Sequence, residues 1–340
     1  MLIRNAKSWD TGATVDVLLE GGLIKKLGKL KETASETLDA KGLLLCPGLI
    51  DMHVHFREPG REDKETIASG SAAAVEGGFT TVAVMANSGR VCDDAVGVVY
   101  VKAKSAEAGG ANILPVGAVT KGLKGEELAE LGKMSAAGAV AFSDDGMPIT
   151  NSELMRRALE YSKMLGRPIL AHCEDATLTK GFVMNEGPVS ARLGLRGYPN
   201  AAEAAMAARD CYLAALTGGH VHICHVSARE TVEVVRAAKA KGIHVTAEAA
   251  PHHLLLTDET LADYESKYKM NPPLRAAEDV DAVLKGLADG TIDAIASDHA
   301  PHTVEEKEQE LACCPNGVIG LETTLGVVLG LKKLPFTPAK

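Results

Sequence analysis

Eight short apolar runs, each of strand length, dominate the chain: Leu49 to Phe56, Thr80 to Met85, Ile113 to Val119, Ala139 to Phe142, Pro168 to His172, Val221 to Val226, His244 to Ala249 and Ile292 to Ser297. Between most neighbours lies a longer stretch of helical character, as in Asp63 to Glu76, Ser152 to Leu165, Ala201 to Leu216 and Arg229 to Lys241. Near-continuous apolar strands need cover on both faces, and parallel neighbours need crossovers. The pattern therefore predicts an α/β fold, a (β/α)8 TIM-type barrel. An open doubly wound sheet is the rival, but no G-x-G-x-x-G loop follows the first run.

Residues 1–45 have another rhythm, with short runs at Val15 to Leu19, Leu23 to Leu27 and Leu43 to Leu45 broken by Gly12, Gly21, Gly22 and Gly28. They predict a small N-terminal β segment ahead of a barrel over residues 46–340. A formal charge of −9 argues against nucleic acid or an anionic membrane as partner. The seven cysteines are scattered, with no C-x-x-C pair, and read as reduced thiols. With no secretory signal pattern and no apolar run of about 20 residues, a cytoplasmic location is expected.

In a barrel of this kind the strand C-termini build the active site, so polar residues that end apolar runs are the candidates. The first run ends in Asp51-Met-His53-Val-His55-Phe-Arg57, the second in Ala86-Asn87 and the fourth in Ser143-Asp144-Asp145-Gly146. The fifth ends in Ala171-His172-Cys-Glu174, the sixth in His222-Ile-Cys-His225 and the eighth in Ser297-Asp298-His299-Ala-Pro301-His302. Two residues apart on a strand, His53 and His55 project to one side and can grip one ion. Two histidines near a strand end can also simply bond to the rim. What favours a metal is that His172, His225 and Asp298 close three other strands, giving imidazoles and carboxylates suited to Zn2+ or another borderline divalent ion.

The stretch Pro47-Gly-Leu-Ile-Asp51-Met-His53-Val-His55-Phe-Arg57-Glu-Pro-Gly60 resembles the signature of the bacterial type I dihydroorotase family of cyclic amidohydrolases. The likeness continues through Phe142 to Gly146, Ala171 to Asp175, His222 to Ser227, Ala250 to Leu254, Asn271 to Arg275 and Ser297 to His302. It implies reversible cyclisation of N-carbamoyl-L-aspartate to L-dihydroorotate in pyrimidine (UMP) biosynthesis, with one or two Zn2+ ions. It also implies that His53 and His55 hold one metal, His172 and His225 the second, Asp145 bridges them, and Asp298 is both a ligand of the first metal and the general base and acid. Arg57, Asn87, Asn271 and His302 match the family's substrate contacts, and Pro315-Asn-Gly317 resembles the loop whose backbone meets the ring. The planar fork of Arg57 suits a substrate carboxylate.

His220, His222 and His244 are expected to be packing or rim histidines, His252, His253 and His299 match no ligand of the family, and Lys121 and Lys124 are expected in a solvated loop. Two departures matter. Met85-Ala86-Asn87-Ser88-Gly89 lacks the proline and threonine that family members more often carry around the asparagine, which bears on substrate affinity. Family members also usually continue for many tens of residues beyond Gly320 to Thr324, whereas this sequence stops at Lys340. The absent part normally completes a composite β-sandwich with the N-terminal segment, so either the sequence is truncated or residues 1–45 have an exposed sheet edge.

Two rivals are a hydantoinase or allantoinase, and a catalytically inactive scaffold for aspartate carbamoyltransferase. The first would usually carry a lysine near the end of the fourth strand, and Ala139 to Gly146 has none. The second would typically have lost metal ligands, all of which this chain retains. Expected partners are a small-molecule substrate, a second copy of the chain as a homodimer, and aspartate carbamoyltransferase.

Overall fold

The computed structural model describes residues 1–331, so the last nine residues of the expected barrel segment lie outside the described residues. Two compact units emerge, one formed by Met1–Gly48 and the other starting at Leu49. The first is a five-stranded sheet in which Thr14–Glu20 pairs antiparallel with both Leu2–Ser8 and Leu23–Gly28, while Thr37–Asp39 and Leu44–Leu45 run parallel to Leu2–Ser8. Leu2, Ala6, Val17 and Leu18 are buried, yet Leu23, Ile24, Leu27, Leu38, Leu43 and Leu44 are exposed.

The second unit is built on eight parallel strands paired in chain order: β1 (Leu49–Val54), β2 (Phe79–Val84), β3 (Asn112–Gly117), β4 (Ala141–Ser143), β5 (Ile169–Ala171), β6 (Val221–Ile223), β7 (Val245–Ala249) and β8 (Ala294–Ile295). Each falls on one of the eight apolar runs. A parallel bridge between Val54 and His299, with His55 N donating to His299 O at 2.8 Å, joins the last strand region to the first. The Asp51 carboxylate reinforces that seam by accepting from the backbone N–H groups of His53 and Ser297.

The crossover helices follow from sequence punctuation. In Ser152–Leu165 the Asn151 side chain accepts from the N–H groups of Glu153 and Leu154, and Gly166 ends the helix in the left-handed conformation. Leu154, Met155, Ala158, Leu159 and Ser162 are its buried stripe. With Leu159 fully buried among β5 and neighbouring helices, truncating it to Ala should cost about 2–5 kcal/mol. The crossovers return the chain to the same end of the sheet each time. All eight strand C-termini therefore point to one mouth.

Candidate metal centre

Six polar side chains meet at that mouth. His53 lies on β1 and His55 just after it, while Asp145, His172, His225 and Asp298 follow the ends of β4, β5, β6 and β8. All six are buried. His53 Nε2 lies 3.4 Å from Asp145 Oδ1 and 3.5 Å from Asp298 Oδ1, and His55 Nε2 lies 3.1 Å from Asp298 Oδ1 and 3.4 Å from Asp145 Oδ2. On the other side, His172 Nδ1 and His225 Nε2 lie 3.5 and 3.3 Å from Asp145 Oδ1 and 2.9 Å from each other. One carboxylate thus stands within reach of four imidazoles.

These donors fall into two groups, His53–His55–Asp298 and Asp145–His172–His225, with the ligating atoms of each within 4.8 Å of one another. The set fits a pair of divalent ions on chemical grounds. His53 Nε2 is buried and makes no hydrogen bond although it faces two carboxylates, an arrangement that a shared cation would resolve.

The opposite ring nitrogens are held from outside. His53 Nδ1 is 2.5 Å from Glu248 Oε1, His55 Nδ1 is 2.7 Å from Asn87 Oδ1, and His172 Nε2 is 2.9 Å from Glu174 Oε2. Such partners fix the tautomer so that the remaining nitrogen presents its lone pair inward. Burial alone would depress the pKa of His53, but Asp145, Asp298 and Glu248 outweigh it and hold the ring well above its ordinary value. His172 is likewise raised to about 10 against burial, by Asp145 and Glu174. For Asp298 burial pushes upward, and His53, His55 and His225 bring it below the usual carboxylate range.

The backbone is strained at these positions. Arg57, His225 and Asp298 have φ of 25°, 33° and 48°, a left-handed region that side-chain-bearing residues seldom adopt, and all three lie at the mouth. Asp144 faces away from the centre. Its Oδ1 accepts from the N–H groups of Val119 and Thr120 at 2.7 and 3.0 Å, and its Oδ2 from the Thr120 hydroxyl, so it anchors the loop after β3.

A cavity of about 360 Å3 opens over the centre, with His55, Arg57, Asn87, Asn271, Pro315 and Asn316 in its wall. Of the expected substrate contacts, Arg57 donates from Nε to Pro301 O at 3.1 Å. The amide of Asn87 is engaged at both ends, by His55 and by Asp145 O at 3.0 Å, so in this arrangement it braces the ligands. Asn271 donates to Glu174 Oε2 at 2.9 Å and keeps a buried, unpartnered Oδ1. His302 does not reach the cavity wall: its Nδ1 accepts from Lys64 Nζ at 2.9 Å and its Nε2 donates to Asn316 O at 2.8 Å. Burial and the cations Arg57 and Lys64 lower its pKa to about 4, which keeps the ring neutral. Gly317 also lies off the wall. Its φ is 147°, and a Cβ there would stand only 2.4 Å from Ala300 O, so the position admits no side chain.

Sequence reasoning passed over Glu248, and it placed Glu174 at the end of the fifth run without giving it a role. Glu248 is a charged residue inside the apolar run of β7, and an acid pointing into an otherwise apolar strand is the signal that could have found it. His222 is packed as expected, with Nε2 3.2 Å from Glu248 Oε2. His299 bonds to Glu65 at 2.8 Å and accepts from Gly320 N, away from the ligand set.

Residues 42–231 match the family described as Dihydro-orotase-like. The chain is 56% identical to the dihydroorotase of Pelotomaculum thermopropionicum over 92% of its own length and 73% of that protein, and 50% identical to the dihydroorotase of Syntrophotalea carbinolica over 97% and 79%. Among solved structures it is similar to the L-hydantoinase (dihydropyrimidinase) of Arthrobacter aurescens, with a TM-score of 0.84, 25% identity and coverage of 99% of this chain and 78% of that one. A D-hydantoinase (dihydropyrimidinase) from Thermus sp. gives a TM-score of 0.78 at 28% identity, covering 98% and 78%.

Proposed function

The chain belongs to the dihydroorotase family, and on that premise we propose how its buried centre makes and opens the dihydroorotate ring. In hydrolysis water adds to the ring carbonyl carbon, the bond from that carbon to the ureido nitrogen breaks, and N-carbamoyl-L-aspartate results; pyrimidine biosynthesis uses the reverse. The observation that carries this reading is the Asp145 carboxylate, which has four imidazole nitrogens within 3.5 Å. We assign His53, His55 and Asp298 to one ion, His172 and His225 to a second, and Asp145 to both. Zinc suits these donors, and when bound it would activate water and polarise the ring carbonyl.

The protein's own groups do the rest. Asp298, held deprotonated by its histidine neighbours, takes a proton from the attacking water and delivers it to the departing ureido nitrogen; in cyclisation it takes that proton back. Arg57 offers a planar fork to the substrate carboxylate from the cavity wall. The unpartnered Oδ1 of Asn271 is an acceptor for a ring N–H. Burial of the six ligand side chains strengthens the electrostatic contacts among them by excluding water.

The hydantoinase likeness is the second reading. Against it stand the absence of lysine from Ala139 to Gly146 and an arginine at the cavity that a ring without a carboxylate would leave unused. The decisive experiment is turnover by the isolated chain of dihydroorotate, carbamoyl aspartate and hydantoin, beside metal analysis. Dihydroorotate turnover that is lost on chelation and restored by zinc is expected; turnover of hydantoin alone would overturn the assignment. The same preparation in light scattering, with and without aspartate carbamoyltransferase, tests the homodimer and that association. Seven free cysteines suit a cytoplasmic location, and no helix among the described residues is long and apolar enough to cross a membrane.

A further inference from the structure

The loop Leu311 to Gly317 brings Pro315 and Asn316 to the cavity wall, yet it contains neither helix nor strand that would hold it there. Its carbonyls are held instead by side chains. Lys269 Nζ donates to the carbonyls of Leu311, Ala312 and Cys314 at 2.7, 3.3 and 2.8 Å. Lys307 Nζ donates to those of Pro315 and Gly317 at 3.0 and 3.1 Å, and to Lys269 O at 3.4 Å. His302 Nε2 donates to Asn316 O. Of this stretch only the Cys313 carbonyl lacks a side-chain donor among the described residues.

Both ammonium groups direct all three protons to backbone carbonyls. Neither ammonium forms an ion pair with a carboxylate among the described residues, and the charge of Lys269 lowers the pKa of Lys307 further. Burial lowers the pKa of each lysine, so placing two cations here costs desolvation that the carbonyl contacts offset. The residues that follow Lys269 are Met270 and Asn271, which also line the cavity. Lys307 bridges Lys269 O to the loop, and Gly317 N donates to the same carbonyl at 3.0 Å. Two walls of the substrate cavity are therefore tied through these two side chains.

We infer that Lys269 and Lys307 are positioning residues which set substrate affinity by holding the Leu311 to Gly317 loop against the Met270–Asn271 wall, while touching neither metal ligand nor substrate. The inference rests on the dihydroorotase reading of the cavity. A purely architectural role would alter stability; a positioning role must move KM while leaving kcat and metal affinity in place.

The test uses the full chain with Lys269→Met and Lys307→Met. Both should raise KM for dihydroorotate roughly tenfold or more, with kcat and zinc affinity, read by chelator competition, close to those of the unsubstituted protein. An independent readout is alkylation mapped by mass spectrometry. Buried Cys314 in the loop should gain reactivity toward the level of exposed Cys313, while Cys173 in the barrel stays protected. If Lys269→Met loses the fold, Lys307→Met decides, since its side chain is only partly buried and replacing it leaves the three Lys269 Nζ bonds to the loop in place. Unchanged KM together with unchanged Cys314 labelling in Lys307→Met would overturn the inference. Failure of the unsubstituted chain to turn over dihydroorotate would instead sink the functional reading, and the Cys314 labelling would still report on the clamp.

Discussion

The two halves of the metal centre are built differently. His53 and His55 come from the end of one strand, β1, and each is braced from a different element, by Glu248 on β7 and by Asn87 after β2. His172 and His225 come from two strands, and only His172 has such a brace, Glu174; the outer Nδ1 of His225 is buried without a partner. A ligand with a fixed tautomer and ring angle is preorganised, and one without must be ordered by the ion itself. The first half should therefore hold its ion more tightly than the second.

The largest effect follows directly. His53→Ala should abolish turnover, because it removes one of two imidazoles of the tighter half and a contact of Asp145, whereas His225→Ala should leave one filled half with residual activity. Equal, complete loss in both variants would break the asymmetry. Asp145→Ala should empty both halves in metal analysis, since its carboxylate alone reaches all four rings. Asp144→Ala should keep metal, because Asp144 anchors Val119 and Thr120. With no lysine on this strand end, reconstitution should also be independent of bicarbonate.

Acidity distinguishes loaded from metal-free protein. In the metal-free state the acidic neighbours raise His53 and His172, the latter to about 10, so an incoming ion must displace protons. Affinity should rise with pH through neutrality, by about tenfold per pH unit for each proton displaced. For stability the sign is that of a raised histidine. The contribution of His172 is fully present below its ordinary 6.5 and disappears as pH rises through about 10, so the metal-free Tm should fall across that window while the loaded protein's does not. A flat affinity between about pH 6 and about pH 8 would contradict the displacement.

The centre was far more legible in the sequence than its supports. The eight runs and the residues ending them revealed the barrel and its mouth, since strand periodicity and burial fix which residues a parallel sheet exposes at its ends. The ligand assignment came from family resemblance, and the geometry brings those same six residues together. What sequence did not reveal is long-range pairing: Glu248 meets His53 across 195 residues, Lys269 meets the 311–317 loop across about 40, and no local spacing encodes either. His302 illustrates the same limit, because its ring is held between Asn316 and Lys64, which is far away in sequence. The exposed leucines of residues 1–48 carry no periodic signal that distinguishes a buried strand face from an uncovered one.

Glu248→Gln sharpens the comparison at intermediate size. The carboxylate is almost fully buried, lies 2.5 Å from His53 Nδ1 and is held well below its ordinary pKa, against burial, by His53 and His222. Neutralising it should weaken the first ion by about 100-fold and leave the second nearly unchanged. Arg57→Lys is a control for both halves: metal content should persist while substrate binding weakens by about 2 kcal/mol, because a point charge replaces a fork. A normal KM there would make Arg57 a rim residue.

Glu174→Gln should have the smallest effect and the most particular one. One oxygen of Glu174 accepts from both His172 Nε2 and Asn271 Nδ2 at 2.9 Å, and the other from the Thr179 hydroxyl. Burial opposes ionisation, but His172, Asn271 and Thr179 bring its pKa down to about 2. A glutamine oxygen can keep the bonds to His172 and Asn271 while its NH2 turns to Thr179, whose hydroxyl can accept as well as donate. The tautomer of His172 thus survives and only the charge is lost, so the second ion should weaken by about tenfold, at the low end of what loss of an outer partner costs. Because the same oxygen orients Asn271 on the cavity wall, KM for dihydroorotate should rise together with the metal loss, which Glu248→Gln would not do. Metal titration and KM measured on both variants at saturating zinc separate the two halves: a KM change in Glu248→Gln alone, or a loss of the first ion in Glu174→Gln, would show that the braces are not specific to the halves they touch.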